Sequence, residues 1–127
     1  MKHVLLALAL VAGAASPALA FRASNGLEVR SLGGNRFLVP WRGQSGDTAF
    51  WCAAADYAWR GLGLPAAARV WRISEPPRRA GQGIVFSTSA KGAASDSGIT
   101  RIGGGKRPDF SIGAALAFCD RRPVDFD

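Results

Sequence analysis

Four short segments carry apolar side chains in a pattern typical of β-strands. They are Leu27–Ser31, Arg36–Val39, Arg69–Ser74 and Gly83–Thr88. Because successive side chains of a strand point to opposite faces, we expect Phe37, Val39 and Trp41 on one face and Leu38 on the other. The same alternation predicts that Trp71 points into the core and that Arg72 points into solvent.

Glycine and proline separate these strands into hairpins. Gly33-Gly34-Asn35 predicts a tight turn, since these residue types tolerate positive φ angles. A longer connection, 75–81, would join the last two strands into a second hairpin. The stretch Ser89–Pro108 is rich in glycine and basic residues, which predicts a mobile loop in which Ile99 and Ile102 form a short edge strand.

One long helix is predicted over Thr48–Arg60. Asp47 has the residue type of an N-cap, and the glycines that follow the segment favour its end. Cys52, Ala55 and Trp59 recur at helical spacing and predict a buried stripe that packs on a sheet.

A second, shorter helix is predicted near the end of the chain. Asp109 or Ser111 would cap it, and it would run through Phe118. The order of elements then predicts an α+β fold: an antiparallel sheet of about four to five strands, one main helix on a face and a short C-terminal helix.

The first 20 residues have the features of a secretory signal peptide. A basic start at Lys2 precedes the apolar run Val4–Ala12, and the segment ends in the small-residue sequence Ala18-Leu19-Ala20. Such a leader is cleaved on export, here after Ala20. The sequence thus predicts a periplasmic or secreted protein with a single domain over residues 21–127, and no later segment is apolar enough to span a membrane.

Export changes the expected chemistry of the remaining chain. Cys52 and Cys119 are the only cysteines, and an oxidising compartment favours a disulfide between them. The sole histidine, His3, would leave with the leader, so the exported chain offers no imidazole for a catalytic triad or a zinc site. We therefore predict no catalytic residues, no metal site and no cofactor.

Two weaker chemical patterns also count against an enzyme. The nine carboxylates are scattered along the chain, and no spacing places two of them together. Gly103-Gly104-Gly105-Lys106 is followed by arginine and proline, whereas a nucleotide-binding phosphate loop needs serine or threonine after its lysine.

The chain is strongly basic, with a formal net charge of +7 that falls to +6 without Lys2. A surplus of this size favours anionic partners, although arginine enrichment more often reflects codon composition and solubility alone. Candidate contacts lie in two basic loops, and one tryptophan, which follows Pro40 and which we expect to be exposed, is added to them. They are Arg78, Arg79, Lys91, Arg101, Lys106, Arg107 and Trp41.

The main functional hypothesis is a non-catalytic binding module for an anionic envelope polymer or an acidic protein. Export makes nucleic acid a poor candidate partner. A second hypothesis is an envelope hydrolase, which would need two carboxylates in a cleft, or an inhibitor of one. A third is a structural subunit of an envelope complex, which exposed tryptophans would favour.

Overall fold

A computed structural model describes residues 20–43, 46–101 and 103–120. The predicted signal peptide lies outside the described residues except for Ala20, as does Ile102 of the predicted edge strand. The description of Asp120 is limited to its backbone.

The described residues form one antiparallel sheet of six strands in the order β1-β2-β3-β5-β4-β6. The strands are β1 (Phe21–Arg22), β2 (Glu28–Gly33), β3 (Arg36–Val39), β4 (Arg69–Arg72), β5 (Ile84–Ser87) and β6 (Asp109–Ser111). The four predicted strands are confirmed as β2 to β5. Two short edge strands, β1 and β6, bring the total above the predicted four to five.

The tight β2–β3 hairpin is confirmed, and glycine makes it possible. Gly33 and Gly34 have φ angles of +89° and +58°, which other residue types rarely adopt. Behind the turn, Phe37 lies opposite Phe86 of β5, and Val39 lies opposite Ile84. These four side chains are buried and form the centre of the helix-facing side of the sheet.

Helix α1 (Asp47–Asp56) crosses this face and continues into a π-helical turn over Tyr57–Gly61. All residues from Phe50 to Asp56 are buried, so the helix is surrounded by core on every side rather than along one stripe. The predicted stripe was wrong at its end, because Trp59 is 48% exposed. The wider π winding breaks the 3.6-residue period and presents Ala58 to the core instead.

The helix start also differs from the prediction. Gly46 occupies the N-cap position, and α1 has no side-chain cap. The Asp47 carboxylate instead accepts a hydrogen bond from Arg72, 25 residues further along the chain.

The C-terminal helix is confirmed as α2 (Ile112–Leu116), followed by a 3-10 turn over Ala117–Asp120. The Ser111 hydroxyl caps it by accepting the Ala114 N–H at 3.1 Å. The predicted disulfide between Cys52 and Cys119 is also present, with an S–S distance of 2.05 Å. It joins α1 to the end of the C-terminal helical segment.

The side chains of strand β4 point to the opposite faces from those predicted. Val70 and Arg72 are fully buried, whereas Trp71 is only half-buried. The register explains this, because Arg72 pairs with Phe86 and Val70 with Phe110, residues of the helix-facing side. An arginine therefore occupies an interior position that the alternation rule assigns to an apolar residue.

The segment between β5 and β6 is irregular but firmly attached. The Ala94 N–H donates to the Arg72 carbonyl at 2.8 Å, and the Trp51 indole donates to the Ser97 carbonyl at 3.0 Å. Ile99 packs against the core without forming the predicted strand. Neither helix in the described part of the chain has the length and apolar character required to cross a membrane.

Candidate functional site

The sheet register brings the predicted loops together at one end. Val39 of β3 pairs with Ile84, the first residue of β5, whereas Arg36 pairs with Ser87 at the other end. Because β4 runs antiparallel to β5, the chain leaves β4 beside the start of β5. The loop after β4 and the loop before β6 therefore meet at the Val39 end.

These two loops and the start of α1 enclose an open hollow of about 430 Å³. Its lining residues are Asp47, Pro76, Pro77, Arg78, Ser95, Asp96, Gly98 and Lys106. The peptide bond between Pro76 and Pro77 is cis. Glu75 fastens the two loops to each other, because its carboxylate accepts both the N–H and the hydroxyl of Ser95, at 2.7 and 2.8 Å.

Behind the hollow lies a buried ion pair. The Arg72 side chain is 0% exposed and donates through Nη1 to the Asp47 carboxylate at 2.7 Å, while the Asp47 side chain is 20% exposed. Arg72 also donates to the carbonyls of Ser97 and Ser74, at 3.1 and 2.7 Å. One guanidinium thus joins the sheet, the helix start and both loops.

Gly98 closes over this ion pair. Its φ angle is +83°, and a Cβ atom at this position would collide with the Asp47 carboxylate and the Arg72 guanidinium. Glycine is therefore required here for both backbone conformation and space.

Arg78 and Lys106 bring basic charge to the hollow. Arg78 lies over the Phe50 ring at 4.8 Å and donates to the carbonyls of Arg79 and Gln82, at 3.2 and 2.9 Å. These carbonyl contacts orient the guanidinium but do not neutralise it. Arg79 and Lys106 are exposed, and no described carboxylate forms an ion pair with either of them or with Arg78.

Two other predicted contacts, Arg101 and Arg107, bind Asp109 of the same chain. Arg107 and Arg69 form ion pairs with the buried Asp109 carboxylate, and Arg101 donates to the Asp109 carbonyl. Arg101 also lies 3.9 Å from the centre of the Phe110 ring. Burial raises the pKa of Asp109, but the hydrogen bonds from Arg69 and Arg107 outweigh it and hold that pKa below its ordinary value.

The structure separates Lys91 from the other candidates. Lys91 lines a notch at the Arg36 end of the sheet, together with Arg36 itself. The sequence analysis missed Arg36, since an arginine in an alternating strand is read as an ordinary solvent-facing residue. Its position directly after the hairpin turn Gly33-Gly34-Asn35 is the signal that could have identified it.

The exposed tryptophans differ in part from the prediction. Trp41 is 44% exposed, as expected, but Trp59 is slightly more exposed at 48%. Both therefore remain available to a partner surface.

The carboxylates bear on the hydrolase hypothesis. Asp47 and Asp96 line the same hollow, but one Asp47 oxygen is engaged by Arg72.

Comparisons with protein-family models, with curated proteins and with solved structures give no match. The functional argument thus depends on the geometry of this chain alone.

Proposed function

We propose that this protein is an exported, non-catalytic module that binds an anionic partner at the hollow. Arg78, Arg79 and Lys106, here called the basic rim, would contact carboxylate, phosphate or sulfate groups of an envelope polymer or an acidic protein. The predicted leader and the Cys52–Cys119 disulfide support an exported location.

The observation that carries this proposal is the charge balance of the hollow. Asp47 is balanced by Arg72, which leaves Asp96 as the remaining lining carboxylate. With the neighbouring residues Arg79 and Glu75 also counted, the three cations Arg78, Lys106 and Arg79 exceed the two carboxylates Asp96 and Glu75 by one charge. The surplus positive charge therefore lies at a concave surface rather than being cancelled within it.

The chemistry of the rim fits reversible binding to a polyanion. Arg78 is already ordered by its contact with Phe50 and by two backbone carbonyls, so less side-chain entropy is lost when it binds. Arginine can contact a carboxylate or phosphate through two parallel hydrogen bonds, and lysine adds a point charge.

Calorimetric titration with a heparin-like polymer at several salt concentrations tests the proposal. We expect affinity to fall steeply with salt and to be weakened by the double variant Arg78→Gln/Lys106→Gln. The matched control is Arg30→Gln/Arg42→Gln, which removes the same net charge from the Glu28 ion pairs. Salt-independent binding, or equal losses in the two double variants, would refute binding at the basic rim.

A carboxylate-dependent hydrolase is the second candidate, favoured only by the shared position of Asp47 and Asp96. In that case Asp96→Asn would abolish the release of reducing ends from an envelope glycan, whereas a binding module would release none. The same glycan incubation with wild-type protein separates the two functions.

A further inference from the structure

We propose that the notch beside the β2–β3 hairpin binds the phosphate or sulfate group of a ligand. The notch has a volume of about 230 Å³ and lies at the opposite end of the sheet from the hollow. Its lining residues are Gly33, Gly34, Asn35, Arg36, Ser87, Ser89 and Lys91. This set contains two cations, three polar side chains and no carboxylate.

The two cations of the notch have no carboxylate partner among the described residues. Arg36 and Lys91 are exposed, and neither forms an ion pair with any carboxylate in the described ranges. This distinguishes the notch from the hollow, where Asp96 and Asp47 share the lining. A doubly charged tetrahedral oxyanion matches a site with two positive charges and no negative one.

The Arg36 guanidinium lies against the loop that follows β5. In the sheet, Arg36 pairs with Ser87, and the Arg36 Nη2 atom lies against the backbone of Gly92 in the loop after β5. Gly92 has a φ angle of +75°, and a Cβ atom there would come within 2.5 Å of Nη2. The absence of a side chain at Gly92 therefore allows Arg36 to lie over the loop that carries Lys91.

A hydroxyl group supplies a further donor at the notch. Ser87 Oγ accepts the Ser89 N–H at 3.0 Å, and Ser89 Oγ accepts the Lys91 N–H at 3.3 Å. Ser87 is buried, whereas the partly exposed Ser89 hydroxyl keeps its own hydrogen to donate to a ligand oxygen. The Thr88 N–H donates to the Asn35 carbonyl at 3.0 Å, which joins the loop to the hairpin turn.

Calorimetric titration of the full chain with inorganic phosphate and inorganic sulfate tests this site. Arg36→Gln and Lys91→Gln should each weaken binding about tenfold, the effect expected for loss of one charged hydrogen-bonding group. Arg22→Gln, which removes one exposed charge on β1 from a residue that lines neither the notch nor the hollow, should change the affinity less than twofold. A phosphomonoester and a sulfated disaccharide, titrated in parallel, show which ester the site prefers.

A charge-neutral variant separates a built site from general attraction. Gly92→Ala leaves the net charge unchanged but displaces the Arg36 guanidinium, so it should weaken binding several-fold while the melting temperature confirms folding. Ser89→Ala, which is also charge-neutral, removes the hydroxyl donor instead and should likewise weaken binding. The proposal is overturned if wild-type protein binds neither ion, if Arg22→Gln matches Arg36→Gln, or if both charge-neutral variants bind as wild type does. Every substitution in this test leaves the three residues of the basic rim in place, so a loss of binding in Arg36→Gln or Lys91→Gln is assigned to the notch.

Discussion

Removal of the Asp47 carboxylate should destabilise the protein far more than its surface position suggests. In Asp47→Ala the fully buried Arg72 guanidinium keeps its carbonyl partners but loses its counter-charge. Removing one partner of a buried ion pair costs about 3–5 kcal/mol. Because the Asp47 side chain is 20% exposed, we expect the lower figure, about 3 kcal/mol. For a domain of this size, that corresponds to a fall of about 12 °C in melting temperature.

Thermal and urea unfolding of purified variants measure this effect. Asp96→Ala is the matched control, since Asp96 lines the same hollow without an ion pair in the described part of the chain, and it should change stability by less than about 0.5 kcal/mol. The double variant Asp47→Ala/Arg72→Met should be more stable than Asp47→Ala alone, because it removes the uncompensated buried charge. An Asp47→Ala protein within 1 kcal/mol of wild type, or a double variant less stable than the single one, would show that the ion-pair reasoning is wrong.

Three further predictions concern stability. Cys52→Ser should lower the free energy of unfolding by about 4 kcal/mol, because the bond to Cys119 closes a loop of 67 residues, and an unchanged melting point in oxidising buffer would contradict this. Asp56 and Asp109 have lowered pKa values in the folded state, so the stability they contribute is complete above about pH 4 and is lost as the pH falls further. The melting temperature should therefore fall as the pH is lowered from 5 to 2, and it should fall less steeply in Asp109→Asn. Ser111→Ala should cost about 1 kcal/mol by removing the α2 cap, measured by urea unfolding; a loss below about 0.3 kcal/mol would argue against that cap.

The parts of the fold that local chemistry determines were predictable from the sequence. Alternation placed Phe37 and Val39 in the core, and consecutive glycines identified the β2–β3 hairpin. With only two cysteines, the disulfide had one intramolecular solution. Each of these features depends on residues that are adjacent in the chain or unique in it.

The errors arose where a distant partner or a change in winding decides the outcome. Arg72 points inward because Asp47 and the Ser97 carbonyl receive its hydrogen bonds, and neither is near it in sequence. Trp59 leaves the buried stripe because the helix changes to π winding at Tyr57, which a 3.6-residue period cannot show.

The candidate site was only partly predictable for the same reason. Basic loops were visible in the sequence, but charge balance depends on which carboxylate each cation meets. Arg107 meets Asp109, whereas Arg78 meets backbone carbonyls, and sequence spacing does not distinguish these cases. Only the strand order, which local patterns do not determine, shows that Arg78 and Lys106 lie at the same hollow.

The irregular loop between β5 and β6 is fastened to the core by Arg72, Trp51 and the backbone of Ala94. A segment held in this way opens only when the core opens, so it belongs to the same cooperative unfolding unit as the sheet. Its Ala94 amide should therefore exchange with solvent as slowly as the amides of β5, and residues 94–97 should resist proteases despite their lack of regular structure. One wall of the hollow thus stays ordered before any partner arrives.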